Sequence, residues 1–161
     1  MEEKKDVGPS PQDEWTIAAL AHASILLVLV LGSVGIGLLL GPLVPLIMYL
    51  SYRERSRFIA FHALQAFAYQ MAGVVGYFVL VAVLVSAVVI AWVVSGLLTV
   101  VLIGFLLMPL ALILTLLMVF GLVIAPFAWI GYGAYGAYSV YRGERFRYWL
   151  IGEWIEREVS L

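Results

Sequence analysis

The sequence predicts an all-α integral membrane protein: a four-helix transmembrane bundle built from two helical hairpins, with an amphipathic C-terminal surface helix. Three observations predict it. The chain is 65% hydrophobic and 12% charged, with a mean hydropathy of +1.09, far outside soluble globular usage. Two blocks, Trp15 to Tyr52 and Phe58 to Tyr141, contain no Asp, Glu, Lys or Arg. All nine basic residues fall outside those blocks, in the N-terminal tail, in one central segment and in the C-terminal tail.

Taken in order, residues 1–14 are polar and carry Pro, Gly and mixed charge. They read as a short disordered tail, and no basic region directly precedes the apolar run as a cleaved signal peptide would require. The first block is divided by Gly32-Ser33-Val34-Gly35-Ile36-Gly37 into spans at about 15–31 and 38–52. Both are short against the roughly 20 residues that cross a bilayer core. The second also holds Gly41, Pro42 and Pro45, where a missing N–H and a ring clash kink or unwind a helix, so a re-entrant arm is the alternative.

Arg53, Arg55 and Arg57 follow, with Ser56 placed as an N-cap for the next helix. From Phe58 to Tyr141 there are 84 residues without a formal charge, too many for two upright spans and a tight turn. The excess is expected in two places: an interfacial helix start at 57–68, and a turn or slanted connection in the 95–109 region. That leaves spans at about 69–94 and 107–141, the last kinked at Pro126. Together these make a four-span domain over 15–141 and a cytoplasmic amphipathic tail over 142–161. In that tail Phe146, Leu150 and Trp154 stand four apart, the spacing of an amphipathic helix on a membrane surface.

Charge placement sets orientation. An even number of spans in each block puts Lys4, Lys5, Arg53, Arg55, Arg57, Arg142, Arg145, Arg147 and Arg157 on one side, and Lys and Arg near span ends favour the cytoplasm. Both termini are therefore expected to be cytoplasmic, in the plasma membrane of a prokaryote. The topology-determining residues are Arg53, Arg55, Arg57, Arg142, Arg145 and Arg147.

Ionisable and polar groups are few inside the blocks, and such groups are costly in lipid. His22 and His62 lie at similar depths from their charged ends, roughly 8 to 11 Å at the helical rise, and so are expected to meet. His62, Gln65, Tyr69, Gly73 and Gly76 follow one helix face, polar at its entrance and small deeper in. His22, His62, Gln65 and Tyr69 form the candidate polar intramembrane cluster. The face reads as a helix-packing seam, as a binding or conducting site, or as a metal or tetrapyrrole ligand pair. Two His without an intramembrane carboxylate make a poor metal set, and no metal or other cofactor is expected.

Gly73, Gly76, Gly133, Gly136 and Ala137 are the candidate helix-packing positions. Tyr132, Tyr135, Tyr138 and Tyr141 recur every three residues, as an interfacial aromatic belt or an aromatic ligand groove. No carboxylate pair, Cys, Ser–His–Asp relay or phosphate-cradling Gly loop appears, so an enzyme is not expected. A net charge of -1 without a long basic run excludes nucleic acid as a partner.

Three stretches in this order carry a resemblance. They are Leu20-Ala21-His22-Ala23-Ser24 with Gly41 to Leu50, then Ser56-Arg57-Phe58-Ile59-Ala60-Phe61-His62-Ala63-Leu64-Gln65-Ala66, and then Arg142-Gly143-Glu144-Arg145-Phe146-Arg147-Tyr148. The chain resembles a family of small bacterial and archaeal membrane proteins of unknown function related to the Tic-twenty component of the chloroplast protein import translocon. That resemblance implies four spans, cytoplasmic termini and a non-enzymatic accessory or assembly subunit of a membrane complex that aids protein translocation. The expected partners are the lipid bilayer and a membrane protein or a second copy of the chain. The alternatives are a small-solute transporter or channel using the His62/Gln65 face, and an enzyme acting on lipid head groups.

Overall fold

The computed structural model describes residues 11–31, 36–149 and 151–159. Most of the expected N-terminal tail, with Lys4 and Lys5, the Gly32 to Gly35 part of the first turn, and Leu150 lie outside the described residues. All regular structure among the described residues is helical, in six α-helices: α1 (Pro11–Ala23), α2 (Leu26–Leu31), α3 (Gly37–Tyr52), α4 (Arg57–Leu98), α5 (Ile103–Tyr141) and α6 (Gly152–Val159). Among the described residues three stretches are long and apolar enough to cross a membrane: Pro11–Leu31, Arg57–Val101 and Ile103–Tyr141. At 16 residues α3 is shorter, about 24 Å at the helical rise.

The helical boundaries differ from the sequence expectation in ways that local chemistry explains. α1 (Pro11–Ala23) takes in the four residues ahead of Trp15, and Asp13 and Glu14 stand in its first turn, where acidic side chains suit the helix dipole. Within the stretch Pro11–Leu31, which takes in the expected span at 15–31, the helix is interrupted at Ser24–Ile25, where the Ser24 hydroxyl turns back to the Ala21 carbonyl at 2.8 Å. Pro42 and Pro45 are accommodated inside α3. Ser56 caps α4, its Oγ accepting the Ile59 N–H at 3.2 Å.

α4 runs unbroken for 42 residues, so the expected interfacial start at 57–68 and the span at 69–94 are one helix. The 95–109 connection is tighter than a slanted crossing: a 3-10 turn at Thr99–Val101 ends on Leu102 with φ 66°, and α5 starts at once. At the other end of α5, Gly143 takes φ 79° while its N–H reaches Val140 O at 2.9 Å and the Glu144 N–H reaches Ser139 O at 3.0 Å. This pair of bonds closes a Schellman C-cap, the reason a Gly stands there.

The tail corrects the expected spacing. Residues 144–148 are not helical, and burial alternates along them: Phe146 and Tyr148 are buried, Arg147 and Trp149 exposed. The period is two, that of an extended strap, because the cap at Gly143 ends the helix before Phe146. α6 starts only at Gly152, and it buries Ile155 while Trp154 stays 61% exposed. Phe146 and Trp154 therefore do not share a helix face, and the Leu150 between them in the expected stripe lies outside the described residues.

The chain divides into two compact units, Gly73–Trp129 and the chain on either side of it. The flanking unit holds the core: Ala18 and Ala19 of α1 with Val140, Phe146 and Tyr148, and a second cluster of Ala21, Ala63 and Ala66. The Gly73–Trp129 unit is a pair of apolar helical arms whose Val, Leu, Ile and Phe side chains stay largely exposed, as lipid-facing surface does. Within it Tyr77 donates to the Leu122 carbonyl at 3.2 Å, and Trp92 donates to Thr115 Oγ1 at 2.9 Å.

Candidate functional site

The site is assembled where α1, α4 and the extended strap meet. Small residues make this approach possible: Ala18, Ala21, Ala63 and Ala66 are fully buried, so the backbones of α1 and α4 come close and their longer polar side chains face each other. His22 and His62, on facing turns, place His22 Nε2 3.2 Å from His62 Nδ1. The other ring nitrogen of His22 lies 3.1 Å from the Tyr148 hydroxyl. Gln65, one turn along α4, accepts the Tyr148 backbone N–H on Oε1 at 3.3 Å. Tyr69, another turn on, stacks on the Tyr148 ring with centroids 3.9 Å apart and planes 2° from parallel.

The structure thus brings His22, His62, Gln65 and Tyr69 into one cluster, and Tyr148 is the residue they share. All but Tyr69 are buried, with His22 and Gln65 at 0% exposure and His62 at 3%. Phe146 packs its edge on His22, Tyr132, Tyr135 and Tyr148. Outside the spanning segments, burial raises the Tyr148 phenol well above the ordinary tyrosine range, and the neighbouring Tyr69 and Tyr132 add to that rise. Tyr148 keeps its proton and can donate it to His22. Arg142, at the end of α5, is held charged by its bond to the Tyr138 hydroxyl and by Glu144.

A second polar layer lies deeper. The Ser24 hydroxyl sits 3.1 Å from the Gly41 carbonyl and accepts from Gln70 Nε2 at 2.9 Å, tying the turn after α1 to α3 and α4. Gly41 lets the helices approach closely, since a Cβ there would stand 3.0 Å from Gln70 Oε1 and 3.1 Å from Val28 Cγ2. In the two layers Gln65 Nε2 and Gln70 Oε1 are buried without a hydrogen-bond partner.

The other predicted positions separate. A Cβ on Gly133 would press on Ile25 at 2.7 Å and on Tyr69 at 3.3 Å, and one on Gly136 would press on Phe146 at 2.6 Å. Gly73 lies against Trp129, also in close approach, whereas a Cβ on Gly76 would meet nothing within 4 Å. Ala137 is half-buried. Tyr132, Tyr135, Tyr138 and Tyr141 are 41 to 58% exposed. Of the basic residues, Arg53 pairs with Glu54 at 3.5 Å, Arg142 with Glu144 at 3.8 Å, and Arg147 with Glu156.

Ser24, Gly41, Gln70, Phe146 and Tyr148 complete the site and are absent from the sequence-derived cluster. Gln70 carried a signal, as one of the few strongly polar side chains inside the second apolar block. Tyr148 stood only as the last residue of the Arg142–Tyr148 stretch, and nothing local paired it with His22, 126 residues away. Among the described residues no three His, Asp or Glu side chains gather as metal ligands. His22 and His62 each commit a ring nitrogen to the other.

Neither a curated protein nor a solved structure matches the chain. One family model does, over residues 13–155, and its description is the magnetosome magnetite crystal formation protein family. That match corrects the sequence reading: the Tic-twenty resemblance falls, and with it protein translocation and solute transport as the chain's activity. The motifs quoted for that resemblance are accounted for by the seam itself, where His22, His62, Gln65 and Tyr148 hold helices together. With 143 of its 161 residues under the match, the chain belongs to the MamF/MmsF family.

Proposed function

We propose that this chain works in the magnetosome membrane in the formation of magnetite crystals, as a non-enzymatic membrane protein that builds or organises the membrane around the mineral. The observation that carries the reading is the family match across residues 13–155. The geometry supports a structural part in that process. The polar groups that could have done chemistry are bonded to one another in a seam that fixes the strap to α1 and α4. The long apolar surface of Gly73–Trp129 suits lipid, a membrane-protein partner or a second copy.

With this goes a topology of four spans in two hairpins, both tails cytoplasmic, and α6 on the cytoplasmic membrane surface. Its support is the placement of Arg53, Arg55, Arg57, Arg142, Arg145 and Arg147 outside the apolar helices, with an uncharged turn at Thr99–Val101.

The test is deletion of the gene in a magnetite-forming host, with electron microscopy of the crystals. Altered crystal number, size or shape, restored by the wild-type gene, is the expected result; unchanged crystals would sink the reading. The non-enzymatic part has its own arm. His62→Gln protein that still inserts and folds should restore the crystals, and failure to do so would point to chemistry at that ring.

A further inference from the structure

Beside the seam, and in the same compact unit, lies a cleft of about 240 Å³ with His62 at its floor. Phe58, Phe61 and Phe146 form its walls, and Arg145, Arg147 and Glu156 its polar rim. Arg147 and Glu156 neutralise each other in an ion pair. Arg145 is left as the uncompensated charge at the mouth, since no ion pair joins it among the described residues. The cleft is smaller than the roughly 300–1,000 Å³ of sites that enclose a whole drug-sized ligand. It fits a head group, with the remainder of the molecule outside.

The floor can supply a directed hydrogen bond. In the chain from Tyr148 through His22 to His62, each neutral ring carries one N–H, so only two proton arrangements are self-consistent. In one, the Tyr148 hydroxyl donates to His22 Nδ1 and His22 Nε2–H donates to His62 Nδ1, which leaves His62 Nε2–H as a donor. In the other, every bond reverses and His62 Nε2 becomes an acceptor. An anion in the cleft selects the first, and the buried Tyr148 hydroxyl has the proton to give.

We propose that this cleft binds the phosphate of an anionic membrane lipid, with Arg145 pairing with the phosphate oxygens, His62 donating from below and the Phe58 and Phe61 rings receiving the adjoining apolar part. This is binding only, with no bond made or broken, and it does not rest on the mineral-forming reading above. The lipid source is favoured over free phosphate because two walls of the cleft belong to the first turns of a helix that continues into an uncharged, lipid-compatible stretch. Basic pockets at the ends of spans are where acidic head groups collect.

The experiment uses the full chain in nanodiscs of phosphatidylcholine alone or mixed with phosphatidylglycerol, with native mass spectrometry of the lipid retained on extraction. Wild type should hold phosphatidylglycerol in preference to phosphatidylcholine, and Arg145→Gln should cut that retention about tenfold, as expected for losing a charge-assisted contact. Arg145→Lys should keep most of it. Arg145 is exposed at the surface, so the variant tests the contact and not the fold. Retention unchanged by Arg145→Gln, or reduced as much by Arg53→Gln in the Arg53–Glu54 pair, which does not line the cleft, would overturn the site. A final arm adds inorganic phosphate: binding of phosphate that depends on Arg145 while no phosphatidylglycerol is retained would overturn the lipid assignment.

Discussion

Tyr148 makes three different contacts with one side chain and its backbone: a hydroxyl at His22, an N–H at Gln65 and a ring stacked on Tyr69. Tyr148→Phe keeps the stack and the N–H bond and removes only the hydroxyl, leaving buried His22 Nδ1 without a partner. A buried group stranded in this way costs about 1–3 kcal/mol. Denaturant unfolding in mixed micelles should show a loss of that size, whereas Trp149→Ala, at a position 85% exposed, should stay within about 0.5 kcal/mol. The two variants giving equal losses would show that the hydroxyl contributes nothing.

The pH dependence has a definite sign. Since folding raises the Tyr148 phenol above its ordinary value of 10.0, the stabilisation is complete below that pH and is lost as pH climbs above it. The alkaline loss should be smaller in Tyr148→Phe. His22 and His62 were legible in the sequence because depth along a helix can be counted from its charged end. Tyr148 was not, because nothing in the local pattern says which extended tail residue folds back on which helix.

At the scale of elements, boundaries were written in single residues where a cap is involved. Ser56 announces α4, and Gly143 ends α5 through its left-handed backbone. The tail was misread because Phe146, Leu150 and Trp154 satisfy a helical period while the buried residues Phe146 and Tyr148 satisfy an extended one. A short apolar pattern supports both periods, and the Schellman cap decides between them.

The glycines of α5 turn this into a test. At Gly136 a side chain would collide with Phe146, so Gly136→Leu should expel the strap while leaving α5 intact, since Leu is a better helix former than Gly. Limited trypsin digestion should then cleave after Arg145 and Arg147 faster than in wild type. Gly76→Leu, where the added side chain meets open space, should digest like wild type. Equal digestion of Gly136→Leu and wild type would mean that the strap is not held by that contact.

For the molecule as a whole, the two long uncharged blocks were enough for the all-helical class: a core with no water leaves helices or closed barrels to satisfy the backbone, and barrel strands would alternate apolar with polar residues. How many times the chain crosses is a harder question. α4 and α5 are 42 and 39 residues, about 63 and 58 Å at the helical rise, each well beyond a hydrocarbon core of roughly 30 Å. Length therefore permits each to cross with a large excess, and α3 is short enough to fall shy of a full crossing.

Charge breaks the tie, and the chain suits a direct measurement because it has no Cys to give background labelling. Single cysteines at Glu54, Val100 and Glu144 sample the turn before α4, the turn between α4 and α5, and the strap. With a membrane-impermeant maleimide on intact spheroplasts, Val100→Cys should label, and Glu54→Cys and Glu144→Cys should label only after the membrane is opened. Removing Arg53, Arg55 and Arg57 together should weaken that bias, since they are the basic residues nearest the start of α4. Labelling of Glu54→Cys alongside Val100→Cys in intact spheroplasts would mean that α4 does not cross. The two-hairpin topology would then fail, while the buried seam of His22, His62 and Tyr148 would stay as it is.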